Sequence, residues 1–341
     1  EMFFEDAQVA SPILEITLTS RNKNDASPVP MCGFPHRAAR GYIAKLISHG
    51  YKVAVCDQVE DPAKAKGLVK RDVVRVITPG MIIENELLDE RANNYVLAVA
   101  CKDGFIGIAY LDISTGTFRA AESRDSAAVI EEIRRVAPSE ALLAESSKND
   151  PFFLPITRIL SEVSISYLDN KAFEHQRGYE RLTAQFKTVT LEGFGCENMK
   201  AAVCAAAAVV YYVRKTQKQG IEHLTRIETY WLDNYLLVDD LSRQNLELFK
   251  NIRTGTRKAT LLGVIDRTAT AMGARLLANW LRYPLVDPDA IRLRLDAVQE
   301  VKENIQLRRG IREKLKSVYD IERIGSKIVM GQAIARDLTA L

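Results

Sequence analysis

The side chains best suited to chemistry are a run of cations in one stretch, Tyr51 to Gly80. Lys64, Lys66, Lys70, Arg71 and Arg75 lie close together there, with Asp72 set against them. Such a cluster suits phosphate oxygens, although the same composition also describes an ordinary solvated face. A second candidate is Asp112, at the end of a β-rich run. A ribonuclease-H-like nuclease needs several carboxylates converging on Mg²⁺. Asp103 and Glu122 fall at turns or strand edges, so Asp112 reads better as a turn cap. His36, His49, His175 and His223 are isolated, without the spacing of metal ligands. No G-x-x-x-x-G-K-[ST] occurs, and Gly193-x-Gly195 reads as a turn before a helix. No residue receives a catalytic, cofactor-binding or metal-binding role, and the chain is not expected to be an enzyme.

The elements that must position the cations are two Val-rich runs, Tyr51–Cys56 and Asp72–Ile77, too short for helices and read as strands. Between them Asp61-Pro62 is a helix start signal and Gly67 a stop. The pattern predicts a loop over 20–30 and a helix over 35–50, with Tyr42, Ile43, Leu46 and Ile47 on one face. Residues 1–88 thus read as a small mixed α/β domain, and 89–94 as a linker. Residues 95–218 read as a second α/β domain. Its strands are Tyr95–Cys101, Phe105–Asp112 and Thr117–Ala121, then a helix through Val129, Ile133 and Val136 that stops before Pro138. A strand at Ala141–Ala144 follows, and an alanine-rich helix over 197–215 that must pack closely on a sheet. This order is ribonuclease-H-like. Residues 219–341 read as all-helical: Asp287-Pro288 starts one helix, and Met272, Leu276, Trp280 and Leu281 share the face of another.

At 341 residues, 47% hydrophobic and 27% charged, the composition is that of an ordinary multidomain globular protein. A net charge of +3 is too small to attract nucleic acid by itself, so any such binding has to come from local patches. The five cysteines are scattered without a C-x-x-C pair, which predicts buried reduced thiols and a cytoplasmic setting. The apolar run 201–213 is shorter than the ~20 residues of a membrane span, and Glu1–Asp6 is no basic leader. The chain starts without a methionine, as if cut from something longer.

Several ordered motifs carry a resemblance over essentially the whole chain. VAVCDQVEDP and KGLVKRDVVRVITPG, in the stretch already described, are preceded by Ile16–Arg21 and Pro30-Met31-Cys32-Gly33-Phe34-Pro35. They are followed by Gly193-Phe194-Gly195, Asn245-Leu246-Glu247-Leu248 and Thr268–Leu281. In this order they closely resemble the MutS family of mismatch-repair proteins. The resemblance implies a mismatch-binding domain lacking its start, a connector domain and part of a helical core or lever.

In that family an aromatic–X–Glu motif enters the minor groove, where an apolar wedge tests how cheaply the duplex unstacks. The family register places the Glu at Glu1, with the aromatic two residues ahead of it. Phe3-Phe4-Glu5 has the same pattern, but the register makes it core-facing helix. Arg21, Lys66, Lys70 and Arg71 fall on family positions that contact the DNA backbone, and Met31 on one near the groove. His36 and Arg37 depart from the family pattern and receive no role. The implied partners are mismatched double-stranded DNA and, through the connector, a MutL-type repair protein. The ATP- and Mg²⁺-binding domain and the clamp lie C-terminal to everything here, so this chain needs no cofactor. The full-length protein is expected to be a homodimer and this chain a monomer. The expected function is DNA mismatch recognition, with steep salt dependence and little preference for mismatched duplex. The alternatives are a protein-interaction module and a metal-dependent nuclease.

Overall fold

The spacing Ala7, Ala10, Ser11, Leu14 is a helical stripe of small and apolar residues, and it forms the buried face of the first helix. A computed structural model describes residues 1–21, 27–60, 67, 69–217 and 221–341. The first domain runs β1 (Met2–Phe3), α1 (Phe4–Leu14), β2 (Thr19–Arg21), β3 (Val29–Cys32), α2 (Ala39–Ser48), β4 (Val53–Gln58) and β5 (Arg71–Ile77). β1, β3 and β2 form an antiparallel three-stranded sheet with β3 in the middle. α1 lays Ala7, Ala10 and Leu14 against Cys32, and α2 adds Leu46 to that core. The adjoining side of α2, with Ile43 and Ile47, meets Ile77 at the base of the β4–β5 hairpin. Phe3-Phe4-Glu5 is not the core-facing helix expected. Phe3 belongs to β1, and Phe4, at a φ of +54°, turns outward and is 64% exposed.

The second domain is a six-stranded sheet of β6 (Val96–Lys102), β7 (Phe105–Asp112), β8 (Thr117–Ser123), β9 (Glu140–Ala144), β10 (Ser164–Leu168) and β11 (Glu228–Thr229). Its order is β10-β9-β6-β7-β8-β11. β6, β7 and β8 are antiparallel and β9 and β10 parallel to β6, the ribonuclease-H-like arrangement. β11 lies beyond the limit of 218 drawn from the sequence. It joins β8 in parallel with Glu228 opposite Arg119, and a strand of two residues has no period to betray it. One face of the sheet carries α3 (Ser126–Val136) and α4 (Leu154–Ile159); the other carries α6 (Lys200–Gln217), backed by α5 (His175–Phe186). With both faces covered, Val96 to Ala100 are all buried instead of alternating. The alanine run lets α6 ride on the sheet itself: a Cβ on Gly107 would lie 2.0 Å from the Ala201 carbonyl carbon.

From Asp240 the chain is helical, with α7 (Asp240–Asn245), α8 (Leu261–Ile265), α9 (Ala271–Arg282), α10 (Pro288–Glu303), α11 (Ile305–Leu315), α12 (Ile321–Val329) and α13 (Ala335–Leu338). Asp287 caps α10 as its sequence predicts. On α9 the buried residues are Ala274 and Arg275, whereas Leu276 and Trp280 of the expected apolar face are exposed. The cysteines also differ from expectation. Cys32, Cys196 and Cys204 are buried, but Cys56 on β4 and Cys101 near the end of β6 are exposed. Among the described residues no helix is long and apolar enough to cross a membrane.

Polar nodes join these parts. Glu140, fully buried at the start of β9, accepts hydrogen bonds from the Thr78 hydroxyl, Gly80 N (3.2 Å), Ser166 Oγ (2.5 Å) and Tyr212 Oη (2.6 Å). Lys52 Nζ stands 3.5 Å from it. Burial and this carboxylate push the Tyr212 phenol far above its ordinary range. Gly80 must be glycine, because a Cβ there would come within 2.8 Å of Glu140 Cβ. Residues 89–94 are the second node. Asn93 Nδ2 and Asn94 N donate to Asp112, whose other oxygen takes Ser114 N and Oγ, the turn cap expected of it. Arg91 Nη1 donates to Asp266 (2.9 Å).

Two outcomes follow from these nodes. Replacing Glu140 with alanine strands several buried donors and should lower the unfolding free energy by about 3 kcal/mol or more; urea denaturation checks this, and a loss under about 1 kcal/mol would contradict the account. Asp266 gives a pH signature. Burial opposes its charge, but the Thr268 hydroxyl and amide, with Arg257 and Arg91, outweigh it and hold the pKa at about 2. A depressed carboxylate stabilises the fold above its unfolded pKa of ~3.9 and loses that contribution as pH falls toward 2. The melting-temperature deficit of D266N should therefore be full at pH 7 and shrink between about pH 4 and 2.

Candidate nucleic-acid interface

Antiparallel pairing places opposed residues on the same side of a sheet, so the register of β1, β3 and β2 decides which candidates can act together. Phe3, Met31 and Thr19 form one row, and Arg21 pairs with Val29, two residues along β3 from Met31. One step further along the β1 register sets Glu1 beside Gly33. A Cβ on Gly33 would meet the Glu1 Cα and Cγ at 3.4 Å. Glu1, Phe3, Met31, Thr19 and Arg21 therefore share one face, while Met2 and Cys32 point the other way into the α1 core. On the open face Glu1, Thr19 and Arg21 are exposed and Met31 and Phe3 half-buried. With strands ~4.8 Å apart and ~3.4 Å per residue, Glu1 and Arg21 stand about 17 Å apart. That is half a turn of a duplex with a pitch of ~34 Å.

Lys70 and Arg71 belong to a different unit, the β4–β5 hairpin, which meets the core of the first sheet through α2 and Val53. The hairpin is anchored at Val53–Ile77 and pairs out to Gln58–Arg71, with an irregularity between Val55 and Cys56. Lys70 and Arg71 are exposed at its far end. Their surroundings are less basic than the sequence suggests. Asp57 lies directly opposite Asp72, and Glu60 accepts a hydrogen bond from Lys70 N at 3.2 Å. Arg75 is drawn away from the cluster into a 2.5 Å ion pair with Glu84. Lys64 and Lys66 lie outside the described residues, as does the helix start expected at Asp61-Pro62. The structure thus gathers Glu1, Met31 and Arg21 on one surface and sets Lys70 and Arg71 at the tip of another. Phe3 and Thr19, which the sequence reading gave no role, belong with the first group; their only signal was strand alternation over two or three residues.

Models of MutS domain I, MutS domain II and MutS domain III match residues 1–86, 94–228 and 242–341. The chain belongs to the MutS family. It is 53% identical over its full length to a DNA mismatch repair protein MutS of Desulfosudis oleivorans, covering 39% of that protein. The same-named proteins of Desulforapulum autotrophicum and Symbiobacterium thermophilum are 51% and 43% identical, again over the full chain and 39% of their own length. The chain therefore spans about two fifths of the length of these relatives. In MutS terms the open face and the hairpin both belong to domain I, the ribonuclease-H-like sheet including β11 is domain II, and 87–93 lies between the two matches.

Thiol chemistry offers a check on this geometry. Cys56 is exposed midway along the hairpin, whereas burial raises the pKa of the Cys32 thiol beneath the open face. Alkylation of the native protein followed by peptide mass spectrometry should label Cys56 at least about tenfold faster than Cys32; equal rates would mean that α1 does not cover the inner side of the sheet.

Proposed function

We propose that this chain contributes the DNA-reading part of a mismatch-repair protein, contacting duplex DNA with domain I and catalysing no reaction itself. The observation that carries the reading is the common open face of Glu1, Met31 and Arg21. Its relatives are named DNA mismatch repair proteins, which fixes the kind of DNA to test. Arg21, Lys70, Arg71 and, outside the described residues, Lys66 are assigned to phosphates, contacts that position a duplex without reading its sequence. Glu1 is assigned to the base edge. A carboxylate repels a correctly paired duplex and is tolerated where a disturbed base offers it a donor. The half-buried Met31 beside it gives the groove an apolar neighbour.

The test is binding to heteroduplex and homoduplex DNA across a salt series. Affinity should fall steeply with salt, and R21A and R71A should each weaken binding to both duplexes alike and reduce the slope by about one. Preference for the heteroduplex should stay below about tenfold, and E1Q should tighten the homoduplex complex by a few-fold, since one like charge is removed. Binding that ignores salt, or that R21A leaves untouched, would sink the reading. ATP and Mg²⁺ are assigned to other parts of the full-length protein, as is its homodimer contact, with this chain monomeric and cytoplasmic.

A second reading has an observation of its own. Domain II carries exposed Phe152 and Leu154 beside a groove of about 240 Å³ lined by Ile106, Ile130, Pro151 and Pro155. An apolar groove of this kind suits a protein partner, here a MutL-type repair protein. Loss of its capture on changing Phe152 to Asp, with DNA binding intact, would separate this role from the first.

A further inference from the structure

Arg275 on α9 and Arg323 on α12 are 4% and 1% exposed. Burying a guanidinium is unfavourable unless its donors are used, and an apolar side chain of similar volume often fills such a space at least as well. Three of their six side-chain hydrogen bonds go to the segment between domains I and II. Arg323 Nη1 donates to the Asp89 carbonyl (3.1 Å) and Nη2 to the Ala92 carbonyl (2.7 Å), while Arg275 Nη1 donates to the Glu90 carbonyl (2.9 Å). Asp320 steadies the pair: it takes both terminal nitrogens of Arg275, at 2.6 and 2.8 Å, and lies 4.0 Å from Arg323 Nε. Burial works against the Asp320 charge, but the Arg275 hydrogen bonds outweigh it and keep its pKa low. Glu322 takes Arg275 Nη2 as well, at 2.6 Å.

The far end of the same segment is held elsewhere. Asn93 and Asn94 donate to Asp112 of domain II, and Asn94 Nδ2 donates to the Pro79 carbonyl at the base of the domain I hairpin (2.9 Å). Residues 89–92 are thus tied to the helical part and 93–94 to the other two. We propose that Arg275 and Arg323 are positioning residues that fasten this segment to α9 and α12, so that the attitude of domain I toward DNA is set by the helical part as well as by domain II. The guanidinium fork of Arg323 serves the Asp89 and Ala92 carbonyls from two separate nitrogens, whereas a lysine ammonium carries all its donors on one flexible nitrogen. The link to DNA rests on the function proposed above; the fastening does not.

Hydrogen exchange of the whole chain, with and without heteroduplex, separates the two. Without DNA, R323M should speed exchange of the 89–94 amides by about tenfold or more and leave β6 to β9 unchanged. R323K should restore little of the protection. With DNA, the unmodified protein should slow in α12 as well as in β1 to β5, because coupling between sites is reciprocal, whereas R323M should slow in β1 to β5 alone. R275M provides the same reading should R323M fail to fold. Unchanged exchange at 89–94 in a folded variant overturns the fastening, and a DNA complex without any effect on α12 overturns the coupling. If neither protein holds DNA, the proposed function fails while the exchange without DNA still decides the role of the arginines.

Discussion

A carboxylate with no access to water, Glu140, is the constraint on which the rest depends. An isolated buried charge is so costly that it either neutralises or collects partners. Here the partners come from across the fold: Thr78 and Gly80 from the end of the domain I hairpin, Ser166 from β10, Tyr212 from α6, and Lys52 at a slightly longer distance. Because every donor must be in place for the charge to be tolerable, the node admits one arrangement of hairpin against sheet. The strand that ends beside it, β5, is about 20 Å long. A tilt at its base is therefore magnified at the tip where Arg71 lies.

The open face of domain I works under a different constraint. A three-stranded sheet has two sides, and α1 and α2 cover only one. The small residues at 7, 10 and 14 bring α1 close to Cys32 and leave the other side with half-buried Met31 and Phe3 among polar neighbours. An acid at one edge and a base at the other give this surface a direction, while the hairpin supplies cations on a separate arm. The division suits a surface that reads with one part and holds with another. In that arrangement Arg75 is a structural residue, since its charge is spent on Glu84.

Domain II is closely packed, helix on sheet and helix on helix. α6 sits directly on β7 at Gly107, α5 sits on α6 with Gly178 facing Ala207, and neither contact leaves room for a methyl group. The helical part is built the other way. Its helices α10 and α11 have no buried residue, and Leu293, Leu295 and Val298 are exposed. It is joined to domain II by buried Tyr283, whose hydroxyl donates to Glu132 (2.8 Å), and by Met330 in the domain II core, and to residues 89–92 by the polar contacts of Arg275 and Arg323.

The sequence by itself determined whatever has a local period or a local stop. The strands around Val53 and Val73, the meander from Val96 to Ser123, the helix ending before Pro138 and the cap at Asp287 were all legible, and so was the family through its ordered motifs. Alternation and capping act over a few residues, so their signal survives without the fold. Only the tertiary structure decided the rest. It joined Glu228 to Arg119, exposed Cys56, Phe4 and Leu276, paired Arg75 with Glu84, and put Glu1, Met31 and Arg21 on one surface. Each of these turns on which distant segment lies opposite, and a residue such as Glu140 looks like any exposed acid until donors from across the chain close around it. Packing chooses those neighbours over separations that no short pattern can encode.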